Sequence, residues 1–415
     1  MIVTVTPNPA LDLTWHVASL ETGSTHRAQA GAARAGGKGL NVARVAHAQG
    51  APALAVTTCG GATGEEFAAE LDASGVPHVL IPVTASTRRS IALVDESLGD
   101  TTVVNEYGIA PSAGEWTALT DAVAAALAAS GSVASGPVAT GPVASGPDAT
   151  STGQRDADAG TADVLVISGS FPPGTPDHLL PALIRIGRDA GAVVVVDTSG
   201  PSLLRAADAG ASVLKPNEHE LRDATGLDDP VDGARELLRR GAELVLLSLG
   251  AEGMLALSGP SLAAPALGYE TGADTPDVGR DAGNRPTSGV SAPDVERAHR
   301  ASGILHARLA TALAGNPTGA GDAAVAACAV LMDAGIRDPE LILRRATAWS
   351  AAAVLMPLAG EIHPSWPDLE RALTVTPHTA ETSVPARDMT PVVPSHAKSE
   401  VSPAAETIPD SKESR

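Results

Sequence analysis

The chain has 415 residues, 48 of them acidic against 28 basic, and a formal charge of −20. Such a surface repels nucleic acid and anionic membranes, so an anionic substrate needs a local cationic pocket. Only two cysteines occur, Cys59 and Cys328, both in apolar surroundings. They read as buried thiols of a reducing compartment, not as a disulfide framework.

Met1 leads straight into an apolar β-branched run, Ile2–Thr6, so a strand and no signal peptide is expected at the start. No apolar run approaches the ~18 residues of a membrane span, and the cytoplasm is the expected location. Further strands are expected over 53–57, 164–168, 193–197, 213–215 and 244–248. Helices are expected over 40–49, 64–74, 116–128, 176–189, 218–225, 233–239, 323–334, 339–356 and 367–373. Buried strands joined by helices predict an α/β fold with a mostly parallel sheet. In such sheets, sites lie beyond the carboxyl ends of the strands.

Two stretches fit that pattern poorly. Residues 11–20 with 26–30, and 89–95 with 101–107, alternate like antiparallel strands, the second pair turning at 97–100. They predict a small β-sheet lid over about 11–30 and 87–107. Residues 130–161 carry a repeated Gly-Pro-x-Ala pentad that cannot bury enough apolar area to offset ordering entropy. That stretch and 268–303 read as flexible insertions, and 377–415 as a polar, disordered tail. What remains is a single domain over 1–376.

Gly319-Ala320-Gly321-Asp322 opens an apolar helical run. Small residues there let backbone N–H groups converge on an anion at a helix N-terminus. A carboxylate at the edge of an anion hole is wrong for binding phosphate alone. It makes sense as a base that deprotonates an attacking hydroxyl. The plainer reading is a glycine turn with an Asp placed to suit the helix dipole.

Lysine usage is selective: the chain has four lysines against twenty-four arginines, and two of the four lie in the tail. The other two, Lys38 and Lys215, sit in compact motifs. Lys38 lies in Gly36-Gly37-Lys38-Gly39-Leu40-Asn41, which lacks the hydroxyl and spacing of a Walker A loop. Close backbone approach at Gly37 and Gly39, with Asn41 on the first helical turn, suits a polyhydroxyl ligand. A tight turn with a solvated Lys is the alternative. Arg88, in Thr87-Arg88-Arg89, is either a charged lid edge or a fork for a substrate phosphate. Asn217 and Glu220 share one helical face and suit either a capping box or a Mg²⁺ water shell. Ser248-Leu249-Gly250 is a glycine-bearing strand end that could line a nucleotide.

Taken in order, these motifs resemble the PfkB (ribokinase-like) carbohydrate kinases. They run from Thr6-Pro-Asn-Pro-Ala-Leu-Asp12 and Gly36-Gly-Lys-Gly-Leu-Asn41 through Gly60-Gly-x-x-Gly64, Thr87-Arg88, Ser168-Gly-Ser-Phe-Pro-Pro-Gly174 and Asp197. They continue with Lys215-Pro-Asn-Glu-His-Glu220, Ser248-Leu-Gly250 and Gly319-Ala-Gly-Asp322. The first two look like the 1-phosphofructokinase and tagatose-6-phosphate kinase branch. The resemblance implies a three-layer α/β/α ribokinase-like domain with a β-sheet lid, often used to form a homodimer. It implies Asp322 as base, with Gly319, Ala320 and Gly321 as the anion hole. Asp12, Gly37, Gly39 and Asn41 would contact the sugar, and Lys38 and Arg88 its existing phosphate. Asn217 and Glu220 would act through Mg²⁺ by way of water. Lys215 would lie near the phosphates of ATP, with Ser248 and Gly250 lining the nucleotide.

The expected reaction is ATP-dependent phosphorylation of fructose 1-phosphate at its 6-hydroxyl. Tagatose 6-phosphate or fructose 6-phosphate, phosphorylated at the 1-hydroxyl, stays open as the acceptor. So does a non-catalytic sugar-phosphate sensor that keeps the fold. Ala323 departs from the family pattern, which often has Ser or Thr after the base.

Overall fold

In the computed structural model, which describes residues 1–133, 162–259 and 303–378, fourteen strands form two sheets. The large sheet begins with β1 (Ile2–Thr6), β4 (Ala53–Cys59) and β5 (His78–Pro82). It continues with β8 (Val164–Ser168), β9 (Val193–Asp197), β10 (Val213–Leu214) and β11 (Leu244–Ser248). These seven pair in parallel, in the order β11-β10-β9-β8-β1-β4-β5. An antiparallel wing of β12 (Met254–Ser258), β13 (Ile304–Arg308) and β14 (Thr374–Pro377) extends the β11 edge.

Helices cover both faces. On one side lie α3 (Ala113–Val133), α4 (Leu179–Asp189), α5 (Pro201–Asp208), α6 (Glu218–Thr225) and α7 (Pro230–Arg240). On the other lie α1 (Lys38–Ala48), α8 (Ala320–Asp333) and α9 (Pro339–Val354). Strand alternation divides the aliphatic side chains between the two layers: Val3, Val5, Leu165 and Ile167 face one, Ile2, Val164 and Val166 the other. Both faces are buried, which is why these strands read as unbroken apolar runs. The scarcity of aromatics is offset by close approach, since buried alanines of α8 lie directly on the sheet. Two further helices, α2 (Gly61–Ser74) and α10 (Trp366–Ala372), flank the ends.

The lid is a four-stranded sheet in the order β3-β2-β6-β7, built from β2 (Ala10–Val17), β3 (Ala32–Gly36), β6 (Arg88–Asp95) and β7 (Asp100–Asn105). Two expectations need correction. The strand expected over 26–30 is displaced to Ala32–Gly36, because register pairs Ala10 with Gly36 and Asp12 with Arg34. The sheet is also not wholly antiparallel, since β2 and β6 run parallel. The two stretches, expected in one small sheet, join through β2 and β6. Leu11 and Ala35 of the lid pack with Leu40, Phe67 and Leu71, which roots the lid in the main domain.

The sequence pattern missed β5, β12, β13, β14 and α5. β5 and β14 lie at the sheet edges and lack the doubly buried signature, whereas β12 is buried on both faces in a run of only five residues. Pro377, read as the start of the tail, belongs to β14 and pairs with Leu305. Residues 130–133 continue α3 instead of opening the insertion. The rest of that insertion, residues 260–302 and residues 379–415 lie outside the described residues.

Candidate active site

The strand ends of the parallel sheet gather a compact set of charges. Asp197 ends β9 and is fully buried. Its Oδ2 lies 3.3 Å from Lys38 Nζ and accepts from Ser168 Oγ at 3.2 Å. Its Oδ1 lies 3.3 Å from Lys215 Nζ but makes no well-formed hydrogen bond. Burial alone would raise the Asp197 carboxyl; the ammonium groups of Lys215 and Lys38 outweigh it and hold the group below the usual range. Lys215 is buried as well, and its ammonium reaches under Gly321, where an added Cβ would stand 3.2 Å away.

Asp322 sits in the first turn of α8, whose N-cap is Gly319 in the left-handed conformation (φ 86°). A side chain there would also meet Ala359 at 2.8 Å, so glycine is required twice over. No side chain caps this helix, and the Ala320 N–H donates to the Pro317 carbonyl at 3.2 Å. Asp322 is 6% exposed, and its Oδ2 accepts from Asn41 Nδ2 at 2.8 Å. Burial first, and the neighbouring Asp197 charge second, push its carboxyl up to about 7, against Lys38, Asn41 and Lys215. A carboxyl poised there can exchange a proton near neutral pH.

Lys38 opens α1 directly after Gly37, whose φ of 121° makes the sharp entry that turns the lysine inward. Gly39 follows where a Cβ would stand 2.5 Å from the Val5 carbonyl. The Lys38 ammonium lies against Asp197 and, at 3.7 Å, Glu220 Oε1. Asp197 foremost, with Glu220 and Asp322, holds Lys38 above the usual lysine range.

Arg88 stands at the root of the lid. It donates from Nε to Asn8 Oδ1 (3.1 Å) and from Nη2 to the Asn8 carbonyl (3.3 Å). Asp12, on β2, faces the same region. The site chosen by Gly36 explains its neighbour: a Cβ there would coincide with the Asp12 carboxylate. Burial pushes Asp12 up to about 6, despite the nearby Arg88, Arg34 and Arg44.

Asn217 and Glu220 form the reciprocal capping box of α6: Glu220 N donates to Asn217 Oδ1 at 2.8 Å, and Asn217 N to Glu220 Oε2 at 2.9 Å. A parallel bridge sets Asn217 beside Ser248, and Ser248 N donates to the Pro216 carbonyl at 3.0 Å. Gly250 begins a single 3₁₀ turn with φ 59°. Among the described residues, no group of three or more His, Cys, Asp or Glu could hold a metal ion by itself.

The sequence motifs thus fall into one chain of contacts from Asn41 through Asp322, Asp197 and Lys38 to Glu220 and Asn217. Asp12 and Arg88 form a separate group at the lid. Asp197 had no role assigned from sequence; its position at the carboxyl end of a four-valine strand was the available sign. Asn8 was likewise only a motif letter. Of the cysteines, Cys328 is buried, with its thiol pushed up to about 12 by burial, whereas Cys59 is half-buried. Both are free thiols.

The profile of the pfkB family carbohydrate kinase matches residues 7–145 and 143–271. The chain belongs to this family. A pfkB carbohydrate kinase is a phosphotransferase, and that is the class of this enzyme. The chain is similar to the 1-phosphofructokinase of Haloferax volcanii, with 35% identity over 277 residues, covering 65% of this chain and 78% of the relative. It is 31% identical over 267 residues to the ATP-dependent 6-phosphofructokinase isozyme 2 of Mycobacterium tuberculosis, covering 61% and 67%. Among solved structures, a possible 1-phosphofructokinase of Thermotoga maritima aligns with a TM-score of 0.67 at 19% identity, covering 91% of this chain and all of that one. Phosphofructokinase-2 of Escherichia coli, in complex with fructose-6-phosphate, aligns at 0.64 and 24%, covering 89% and 98%. At these identities the structures establish the shared ribokinase-like fold of this pfkB kinase. No described helix is long and apolar enough to cross a membrane.

Proposed function

We propose that this pfkB kinase is a 1-phosphofructokinase, transferring the γ-phosphoryl group of ATP to the 6-hydroxyl of fructose 1-phosphate. The observation that carries the reading is the buried Asp322, held by Asn41 at a helix N-terminus that no side chain caps, with its carboxyl pushed up to about 7. Asp322 takes the proton of the 6-hydroxyl as that oxygen attacks the γ-phosphorus. The bond between that phosphorus and the β–γ bridging oxygen breaks, and ADP leaves with the electron pair. The N-terminus of α8 at Gly319–Gly321 steadies the negative charge on the migrating group.

Lys38 and Lys215 flank the same point, which suits them to the phosphates of ATP. This replaces the sugar-phosphate role expected for Lys38. Arg88 keeps that role, with Asp12, Gly37, Gly39 and Asn41 toward the sugar. Ser248 and Gly250, next to Asn217, line the nucleotide. A hard cation such as Mg²⁺ suits the remaining donor set only through water and nucleotide phosphates. Asn217 Oδ1 and Glu220 Oε2 are committed to the capping box, and Glu220 Oε1 faces Lys38 at 3.7 Å.

The acceptor is supported by Arg88 and by the names of the relatives, of which one is a 6-phosphofructokinase. ADP release measured with fructose 1-phosphate, fructose 6-phosphate, tagatose 6-phosphate, ribose and adenosine decides it. Fructose 1-phosphate should give the highest kcat/KM. A preference for either 6-phosphate moves the transfer to the 1-hydroxyl, and binding without ADP release makes the protein a sensor. The lid also suits a homodimer: β7 is an edge strand with Val103 and Val104 about half exposed (48% and 54%).

A further inference from the structure

Asn8 lies between two prolines, Pro7 and Pro9, at the carboxyl end of β1. Pro9 biases Asn8 to an extended backbone, so the direction of its side chain is set by local sequence. The amide is then gripped at both ends. Its Oδ1 accepts from Arg88 Nε at 3.1 Å, and its Nδ2 donates to Ser170 Oγ at 3.3 Å. Those opposite partners fix which end is oxygen. The Asn8 carbonyl takes a second N–H of Arg88 at 3.3 Å. Gly108 completes the arrangement: a Cβ there would fall on Asn8 Oδ1 and push the amide away. Asn8, Arg88 and Gly108 line one recess together with Thr58, Ser86 and Pro172.

We infer that Asn8, with Gly108 as its clearance, is a positioning residue that aims the Arg88 guanidinium at the phosphate already on the sugar. An arginine at a lid edge would otherwise sample many rotamers, and each would cost entropy on binding. A neutral amide suits this task better than a carboxylate. It orients the guanidinium without cancelling the charge that an anionic substrate needs. The inference rests on the reading that Arg88 meets that phosphate.

The test measures KM and kcat for fructose 1-phosphate and fructose 6-phosphate in Asn8→Ala, Asn8→Asp, Gly108→Ala, Arg88→Ala and the double variant Asn8→Ala/Arg88→Ala. Asn8→Ala and Gly108→Ala should raise the KM of the better sugar phosphate about tenfold, with kcat and the KM for ATP within about twofold. Asn8→Asp should raise it further, toward the value of Arg88→Ala. In the Arg88→Ala background, Asn8→Ala should add nothing, because it acts only through the arginine. Additive effects, or a fall in kcat with KM unchanged, overturn the inference while leaving Arg88 in its place. An unchanged KM in Arg88→Ala itself removes the phosphate reading instead, and the inference with it. Should Asn8→Ala fail to fold, Gly108→Ala disturbs the same amide from the other side and gives the same readout.

Discussion

The charge cluster at the strand ends and the charge cluster at the lid differ in what their cations meet. Around Asp197, three carboxylates (with Glu220 and Asp322) share two lysines. Around Asp12, three arginines, Arg34, Arg44 and Arg88, bear on one buried carboxyl. In the first cluster the excess of negative charge, added to burial, lifts Asp322 into the neutral range. In the second, Arg34 pairs with Glu361 and Arg44 with Glu70, while Arg88 donates to the neutral Asn8. On the proposed reading, one region tunes a proton and the other meets a phosphate. Placing them on separate elements, main sheet and lid, lets each be set independently.

The comparison can be broken most severely at Asp322. Asp322→Asn should lower kcat about 10²–10⁴-fold, with little change in the KM of the sugar phosphate, in a steady-state ADP-release assay. Near-normal turnover would remove the base from the strand-end cluster.

Asp197→Ala leaves Lys215 buried without its counter-charge. Equilibrium urea unfolding should show a loss of about 3–5 kcal/mol. A loss below about 1 kcal/mol, the range of an exposed ion pair, would mean the cluster is wetter than its burial implies.

The pH dependence sharpens the contrast. Because the base must be ionised, kcat should fall about tenfold per pH unit below the value near 7 set for Asp322. Stability runs the other way. The folded-state value lies above the unfolded one, so the protonated carboxyl adds stability below about pH 4, and that contribution is lost as pH rises through about 7. Asp322→Asn should therefore gain Tm over the parent at about pH 8 and not at about pH 4. An equal difference at both would sink the shifted carboxyl.

The smallest effect is expected at the α6 cap. Asn217→Ala should cost about 1 kcal/mol in thermal unfolding, from the lost capping box. If Asn217 also serves the nucleotide, the KM for ATP rises in the same variant.

Much of this was legible in the chain. The parallel strands announced themselves as unbroken apolar runs, and 164–168, 193–197 and 244–248 appear with the expected bounds. Asp322 could be singled out because a carboxylate after Gly-Ala-Gly makes little sense unless it reacts. The capping box of Asn217 and Glu220 was visible from spacing alone, being a contact within one helical turn. The wing strands were not legible: β12 is buried on both faces but is a five-residue apolar run that does not by itself separate strand from helix, and β13 and β14 are set by pairing with a neighbour. The lid register was misjudged for the same reason, as residues 26–30 alternate without a partner.

Adjacent residues by themselves marked most of the parallel strands and helices, the glycine-lined helix start and the carboxylate proposed as base, because each is written in local backbone geometry. Tertiary structure decided which charge meets which. Lys38 meets Asp197 and Glu220, and Arg88 meets Asn8. Such partnerships join residues 80 to 182 positions apart by sequence number. They depend on distance and burial, through the Coulomb energy and desolvation, and neither quantity exists until the chain has folded.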